Sequence, residues 1–163
     1  MRELLAGNAA QTEAVESTKA VSGAVLLDPQ GKVLPGSSIK LDLTTLKSDR
    51  DIRDNFIKRV TLQTNQFPSV EFVPNQIQGL DGGLPTSGQH SFKLIGDATI
   101  KGKTSQMTWD VSANFDQQGA KGQASTQFKL SDFGLTPPKA GPVISVDDNG
   151  SIVLSFQATK AAA

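Results

Sequence analysis

Residues of the types used in catalysis occur in this chain, but they lack the neighbours that catalysis needs. Asp132, Phe133 and Gly134 spell the tripeptide that holds metal in protein kinases, yet the other kinase motifs that accompany it there are missing. A turn that tucks Phe133 into the mouth of a barrel is the simpler interpretation. The one histidine, His90, has no recognisable nucleophile or orienting partner in the sequence. We therefore expect no catalytic residue and no enzyme activity.

The composition argues against bound metals and phosphate-carrying cofactors. The chain has no cysteine and a single histidine, whereas a structural zinc site usually needs several such ligands. The glycine-rich segment 79–88 lacks the Lys-Ser/Thr end of a phosphate-binding loop, and it is typical of a flexible connection. We expect no metal site and no conventional cofactor.

Arg53 and Asp54 are the strongest candidates for contact with a polar headgroup. The guanidinium of Arg53 offers a planar fork of donors that suits phosphate or carbonyl oxygens. The alternative is an ion pair or a helix-end interaction that pins a short helix in place. His90 is a third candidate, because it stands at the start of a strand after a loop.

Length and charge narrow the class of protein and its partners. The 163 residues suit one domain, 1–163, and 16 basic residues balance 16 acidic ones. Such a neutral chain has no broad positive field, so we expect no nucleic-acid partner. No apolar run reaches the roughly 20 residues of a membrane helix, so we expect no stable membrane insertion. Met1–Ala10 does not read as a signal peptide, which indicates either a cytoplasmic protein or one whose leader is absent here.

Most of the chain alternates apolar and polar residues, the pattern of strands with one buried face. The clearest example is the segment 107–115, where Met107, Trp109 and Val111 oppose Thr108 and Asp110. With turn signals such as residues 28–31, and a short connection at Lys101 and Gly102, between the runs, the pattern predicts eight strands. They lie near residues 2–6, 21–27, 39–43, 69–72, 91–100, 107–115, 120–129 and 151–158.

One charged segment, 44–65, breaks the alternation. Ile52, Phe56 and Val60 recur every four positions within it, which predicts a short helix whose apolar side closes one end of a barrel.

A single antiparallel sheet of eight strands buries its apolar face by closing on itself, although a two-sheet sandwich would satisfy the same pattern. Small residues are frequent at the inward positions, and we interpret them as room for an apolar guest. The alternative is that they accommodate large neighbours or the close approach of strands. These small residues are Gly23, Gly96, Ala98, Ala113, Gly122 and Ala124.

Three stretches make the chain resemble the YceI-like family of polyisoprenoid-binding proteins. The first is the Arg53-Asp54 pair followed by Leu62–Phe72, the second is Gly96–Thr104, and the third is Phe128–Leu135. The chain departs from the family pattern at Asn55, where a histidine is common, and at Leu130, where an arginine is common. Where relatives use these two positions to contact a ligand headgroup, their headgroup preference does not carry over to this chain.

The resemblance implies an all-β fold, an extended antiparallel eight-stranded up-and-down β-barrel that is lipocalin-like and carries a short helix near one end. It implies that the interior binds a long apolar lipid, either a polyisoprenoid, a polyprenyl quinone precursor or a fatty-acyl chain. It also implies a periplasmic or secreted setting, with the cytoplasm as the alternative, and it leaves a homodimer open.

The predicted ligand-lining residues are the large apolar residues of the inner face, the helix and the Asp-Phe-Gly turn. They are Val25, Leu41, Phe56, Val70, Phe72, Phe92, Leu94, Trp109, Val111, Phe115, Phe128 and Phe133, with Arg53, Asp54 and His90 as headgroup candidates. The rival hypothesis is a structural or partner-binding barrel with a filled interior, acting through its loops or as a dimer. An enzyme on this scaffold has the least support.

Overall fold

The computed structural model describes residues 2–5, 12–80, 82–137 and 143–160. Ten strands and one helix are assigned in these ranges. The strands are β1 (Arg2–Leu5), β2 (Thr12–Glu13), β3 (Val21–Ala24), β4 (Ser38–Asp42), β5 (Ser69–Gln78), β6 (Gly88–Ile100), β7 (Lys103–Phe115), β8 (Gly119–Lys129), β9 (Val143–Val146) and β10 (Asn149–Thr159). The helix α1 (Asp51–Phe56) continues into a π-helical turn, Ile57–Thr61, and 3-10 turns span Leu43–Thr45 and Leu130–Phe133.

Seven of the strands form one antiparallel sheet in the order β10-β8-β7-β6-β5-β4-β3. Six of its strands follow one another in the sheet as they do along the chain, which makes an up-and-down arrangement that curls into a half-barrel. The predicted all-β, up-and-down architecture is thereby confirmed.

The predicted closure into an eight-stranded barrel is not confirmed, because β3 and β10 lie at opposite edges of the sheet. β1 was expected in the barrel, but it pairs with β2 and β9 in a separate three-stranded sheet. With four residues, β1 carries too little alternation to reveal its partner.

Tight turns set the register of the long strands. Lys101 and Gly102 connect β6 to β7 with φ of 49° and 75°, the positive values that a two-residue hairpin turn requires. The pairing then runs without a break from Ile100 opposite Lys103 to Gly88 opposite Phe115. The predicted connection at this point is confirmed.

A bulge in β5 bends the sheet. The register between β5 and β6 shifts between Pro74 and Gln76. Proline has no amide hydrogen to donate to a neighbouring strand, so a bulge is the place where a strand tolerates it. A bulge also bends and twists the strand that contains it. Pro74 therefore contributes to the curl of the sheet.

The helix packs against the end of the inner face where β6 meets β7, as predicted, but with a different side inward. Ile57 is 6% exposed and joins the core with Leu62, whereas Ile52 is 84% exposed and Val60 54% exposed. The expectation that Ile52, Phe56 and Val60 face the barrel is therefore wrong for Ile52 and Val60. The buried side also includes Asp54, a polar residue that an apolar pattern does not mark.

Replacing Ile57 with alanine should lower the free energy of unfolding by about 2–4 kcal/mol, because it leaves a cavity under the helix. The matched change Ile52→Ala should cost no more than about 0.5 kcal/mol, because that side chain is already in water. Chemical denaturation of the two variants measures both values. Equal losses would contradict the helix orientation described here.

Candidate functional site

The inner face of the curled sheet divides into two parts. The first, the helix-end cluster, is packed under the helix and the Asp-Phe-Gly turn. Its buried members are Leu43, Ile57, Leu62, Phe72, Ala98, Ile100, Met107, Leu130, Phe133 and Leu135. The second, the open-end surface, lies farther along β6, β7, β8 and β10. It consists of buried Val111, Ala113, Phe115 and Ala124 and half-buried Phe92, Leu94, Trp109, Ala120, Leu154 and Phe156.

Strand register places the residues of the open-end surface side by side. Phe92 on β6 pairs with Val111 on β7, and Val111 pairs in turn with Ala124 on β8. Ala124 pairs with Leu154 on β10. Since neighbouring strands are about 4.8 Å apart, this row crosses about 14 Å of sheet. A parallel row, one pleat nearer the open end, contains Ala113, Gly122 and Phe156.

Aromatic rings give this surface its shape. Phe92 and Phe115 lie with ring centroids 6.3 Å apart, and His90 packs edge-on against Phe115 at 5.9 Å. At the boundary with the helix-end cluster, Trp109 meets Phe72 edge-on at 6.1 Å. From Trp109 to Phe115 the strand rises about 20 Å, at roughly 3.3 Å per residue. The result is an apolar strip with a buried centre and half-buried flanks.

The predicted lining residues separate into distinct environments. Phe92, Val111 and Phe115 lie on the open-end surface, and Leu94 and Trp109 contact both parts of the inner face. Five others pack in the helix-end cluster: Leu41, Val70, Phe72, Phe128 and Phe133. Phe133 is only 2% exposed and meets Phe128 edge-on at 5.7 Å. Half-buried Val25 and Phe56 are members of neither cluster.

Leu154, Phe156 and Ala120 belong to the open-end surface, although they are missing from the predicted lining set. Alternation in the last two long strands did place them on the inner face. The signal was therefore present, but nothing in sequence alone distinguishes an inward residue that stays accessible from one that is packed over.

The glycines on the inner face do not leave room for a guest. A Cβ at Gly96 would lie 2.3 Å from the carbonyl oxygen of Val73, and one at Gly122 would lie 2.0 Å from that of Ser112. Backbone of the neighbouring strand already fills both places, so these glycines allow close strand approach. The alternative interpretation of the small residues is thus the correct one at these two positions.

The three headgroup candidates do not form one site. Arg53 and Asp54 lie on the helix, whereas His90 lies near the other end of β6. Ten residues of strand separate His90 from Ile100, which corresponds to about 33 Å. His90 instead packs on Phe115, and its Nε2 lies 3.1 Å from the carbonyl oxygen of Ser87.

Arg53 and Asp54 engage neighbours that hold the helix in place. The backbone amide of Ser48 donates to Asp54 at 2.9 Å and its hydroxyl donates to the same oxygen, and these bonds hold the pKa of Asp54 below its usual value. Arg53 pairs with Asp49, four residues earlier in the chain. This geometry favours the pinning role over the headgroup role.

Glu16 lies near Asp54, Arg53 and Ser48, in a place where its negative charge is unfavourable. Burial, and next the negative charge of Asp54, raise the pKa of Glu16. Both of its carboxylate oxygens are buried without a hydrogen-bond partner among the described residues. Ser48 is near enough to lower the pKa, but its shortest hydrogen bond goes to Asp54. The ionised form of Glu16 is therefore less stable in the fold than in water.

Two open clefts lie mainly outside the inner face, although Phe92 and Val111 of the strip border the first of them. One, of about 590 Å³, is on the outer face and is lined mainly by polar residues, including the Lys93–Asp110 ion pair. The other, of about 500 Å³, lies at the β3–β4 edge near Leu41. Neither excludes water well, so an apolar chain gains less there than on the inner face.

Two further kinds of feature were sought among the described residues, a cluster of metal ligands and a helix that spans a bilayer. Across residues 14–80, 82–137 and 147–160, no three His, Cys, Asp or Glu side chains converge as metal ligands would. The helices assigned within those ranges are too short and too polar to traverse a bilayer.

Comparison with known proteins places the fold in a family. The family model described as the YceI-like domain matches residues 6–158. A search of curated proteins gave no match. The match covers nearly the whole chain, including both parts of the inner face.

Solved structures agree with that match at the level of fold. The YCEI protein of Campylobacter jejuni superposes with a TM-score of 0.69 at 17% identity, covering 93% of this chain and 87% of that chain. BcnA of Burkholderia cenocepacia superposes with a TM-score of 0.58 at 19% identity, covering 74% and 72%. A polyisoprenoid binding domain from Saccharophagus degradans gives a TM-score of 0.49 at 11% identity, covering 67% and 62%. The first two superpositions establish a shared fold, and at these identities they do not establish a shared ligand.

Replacing Glu16 with glutamine should raise the melting temperature at pH 7. The raised pKa means that the fold binds the Glu16 proton more tightly than the unfolded chain does, so this residue weakens the fold as the pH rises through its folded pKa. Glutamine removes that penalty. Below about pH 4, where the carboxyl is protonated in both states, the gain should disappear.

Thermal melts from pH 3 to pH 8 measure the effect, and Glu71→Gln is the control. Hydrogen bonding from Ser38 and the charge of Lys40 lower the pKa of Glu71, so its replacement should not stabilise the fold at pH 7. A Glu16→Gln melting temperature equal to or below that of the parent protein at pH 7 would refute the electrostatic description of Glu16.

Proposed function

The chain belongs to the YceI-like family, and from that premise we propose that it binds the apolar chain of an isoprenoid or fatty-acyl lipid on the open-end surface. The observation that carries the proposal is the apolar strip formed by β6, β7, β8 and β10, in which half-buried residues such as Phe92, Leu154 and Phe156 flank a buried centre. Proteins usually cover an apolar surface of this kind with their own side chains or with a ligand.

Burial of the lipid chain supplies the driving force. Each methylene removed from water contributes about 0.8 kcal/mol. The strip is about 20 Å long at 3.3 Å per residue, so it contacts many such groups along an extended chain. The clusters of the inner face consist of apolar side chains, so the surface selects for chain length and shape rather than for charge.

In this proposal, the curled sheet encloses the lipid chain from one side. Our proposal includes further closure of the sheet around the ligand, as the family resemblance implies, since water must be excluded for the full gain of burial. A periplasmic or secreted setting and a homodimer are parts of the proposal that rest on the same resemblance.

We propose a carrier rather than an enzyme. The strip offers no nucleophile, and His90 at its border contacts Phe115 and the Ser87 carbonyl rather than an acidic partner that could orient it for base catalysis. Binding and release are therefore the activity that we propose for this surface.

The rival hypothesis of a filled interior applies to one half of the inner face. Phe72, Met107 and Phe133 fill the helix end, where each is 5% exposed or less. Such packing stabilises the fold and leaves no room for a guest. On the open-end surface Val111 and Ala113 are packed as tightly, so we place the proposed ligand along its half-buried residues, such as Phe92, Leu154 and Phe156.

A bulky substitution on the strip should block the ligand. Ala120 is half-buried on the open-end surface, and Lys121 beside it points to the exposed outer face. Ala120→Phe should weaken binding of farnesol or palmitate about tenfold or more by occupying the strip, whereas Lys121→Phe should leave affinity unchanged within about twofold.

Intrinsic fluorescence reports on the site directly, because Trp109 is the only tryptophan and the chain has no tyrosine. The parent protein should give a saturable change in emission on titration with either lipid. Thermal melting confirms that each variant is folded. No saturable change with any long-chain lipid, or equal affinity in the two variants, would overturn the proposal.

A further inference from the structure

Trp109 carries a polar atom that the fold leaves without a partner. Its indole Nε1 is buried, and it has no hydrogen-bond partner among the described residues. An indole nitrogen can only donate, and buried tryptophans usually find an acceptor. An unpaired buried donor is rare enough in a native fold to need an explanation.

The side chains beside Trp109 make no hydrogen bond to its indole nitrogen. Trp109 lies opposite Leu94 on the neighbouring strand and packs edge-on against Phe72. The nearby hydroxyl of Thr126, which is also buried, donates to the backbone oxygen of Thr108 at 2.7 Å. The side chains that form both clusters of the inner face around Trp109 are apolar.

Trp109 belongs to both clusters and marks the boundary where the helix-end cluster stops and the open-end surface begins. A lipid chain that enters along the strip from the end near Phe115 would reach Trp109 at its inner limit. Because Nε1 is buried, contact with it requires the side chains that cover it to move aside. The leading atom of the ligand would lie at Trp109, and its tail would lie along Phe92 and Phe115.

We infer that the ligand carries a neutral oxygen, a hydroxyl or carbonyl, that accepts the hydrogen bond from Trp109 Nε1, and that it binds with this end innermost. This inference rests on the proposed lipid-binding function. A neutral group is favoured because the inward residues beside Trp109 on the two neighbouring strands, Leu94 and Thr126, are uncharged, and a buried charge without a partner is costly. A phosphate or an ionised carboxylate at this depth would have no counter-charge.

The test compares farnesol with farnesene and farnesyl phosphate, which share one chain and differ in the end group. With a single tryptophan, the ¹⁵N-labelled protein gives one indole cross-peak in a proton–nitrogen correlation spectrum. Farnesol should move that proton downfield as the hydrogen bond forms. Farnesene should bind more weakly and give no downfield shift, and farnesyl phosphate should bind more weakly than farnesol.

Trp109→Phe keeps an aromatic ring and removes the donor. Measured by calorimetry, its affinity for farnesol should fall about tenfold more than its affinity for farnesene, because both ligands lose ring contact and only farnesol loses a hydrogen bond. The spectra of the parent protein test the same contact without any substitution, so the inference stays testable if this variant does not fold.

The outcomes separate this inference from the proposed function. Binding of none of the three compounds would refute the lipid-binding function itself. Equal binding of farnesol and farnesene with no downfield shift would overturn the hydrogen bond to Trp109 and leave the function intact. Tightest binding of farnesyl phosphate would overturn the neutral end group.

Discussion

One constraint governs this molecule: a long antiparallel sheet with alternating residues has one apolar face, and that face must be covered. β6 and β7 pair over their full length of 13 residues each, which produces more apolar surface than the short helix can cover. The helix and the Asp-Phe-Gly turn cover only the end near Ile100 and Met107. The rest of the face forms the open-end surface, because the sheet is longer than the helix and the turn that cover it.

The covered end depends on polar contacts as well as apolar packing. Ile57 can lie under the helix because Asp54, on the same side, is satisfied by two hydrogen bonds from Ser48. Glu16 weakens this end of the fold, since burial and then the charge of Asp54 disfavour its ionised form. The charged residues near the helix therefore fix its position, and we assign the ligand to the other end of the sheet.

Much of this fold could be predicted from alternation and turn chemistry. The strand at 107–115 was predictable because apolar and polar residues alternate along it. The turn at Lys101 and Gly102 was predictable because glycine favours the positive φ that such a turn needs. The pairing of β1 with β9 left no such mark, because both strands are four residues long. The helix orientation was missed because its buried side includes Asp54, whose burial depends on hydrogen bonds from Ser48.

The candidate site was only partly predictable, for a physical reason. Phe72 and Phe92 both occupy inward positions, yet Phe72 is packed under the helix end and Phe92 remains accessible. Residue type and alternation are the same in both cases, and only the extent of the cover distinguishes them. The glycines were misleading for a related reason, since Gly96 and Gly122 reflect the approach of neighbouring backbone rather than empty space.

The most direct test of this account is an experimental electron-density map of the protein crystallised with farnesol. The account predicts continuous tubular density along the strip from Phe115 to Trp109, with side chains of the helix-end cluster packed beyond it. A map in which Phe92, Phe115 and Phe156 close against one another and fill the strip with protein atoms would contradict it.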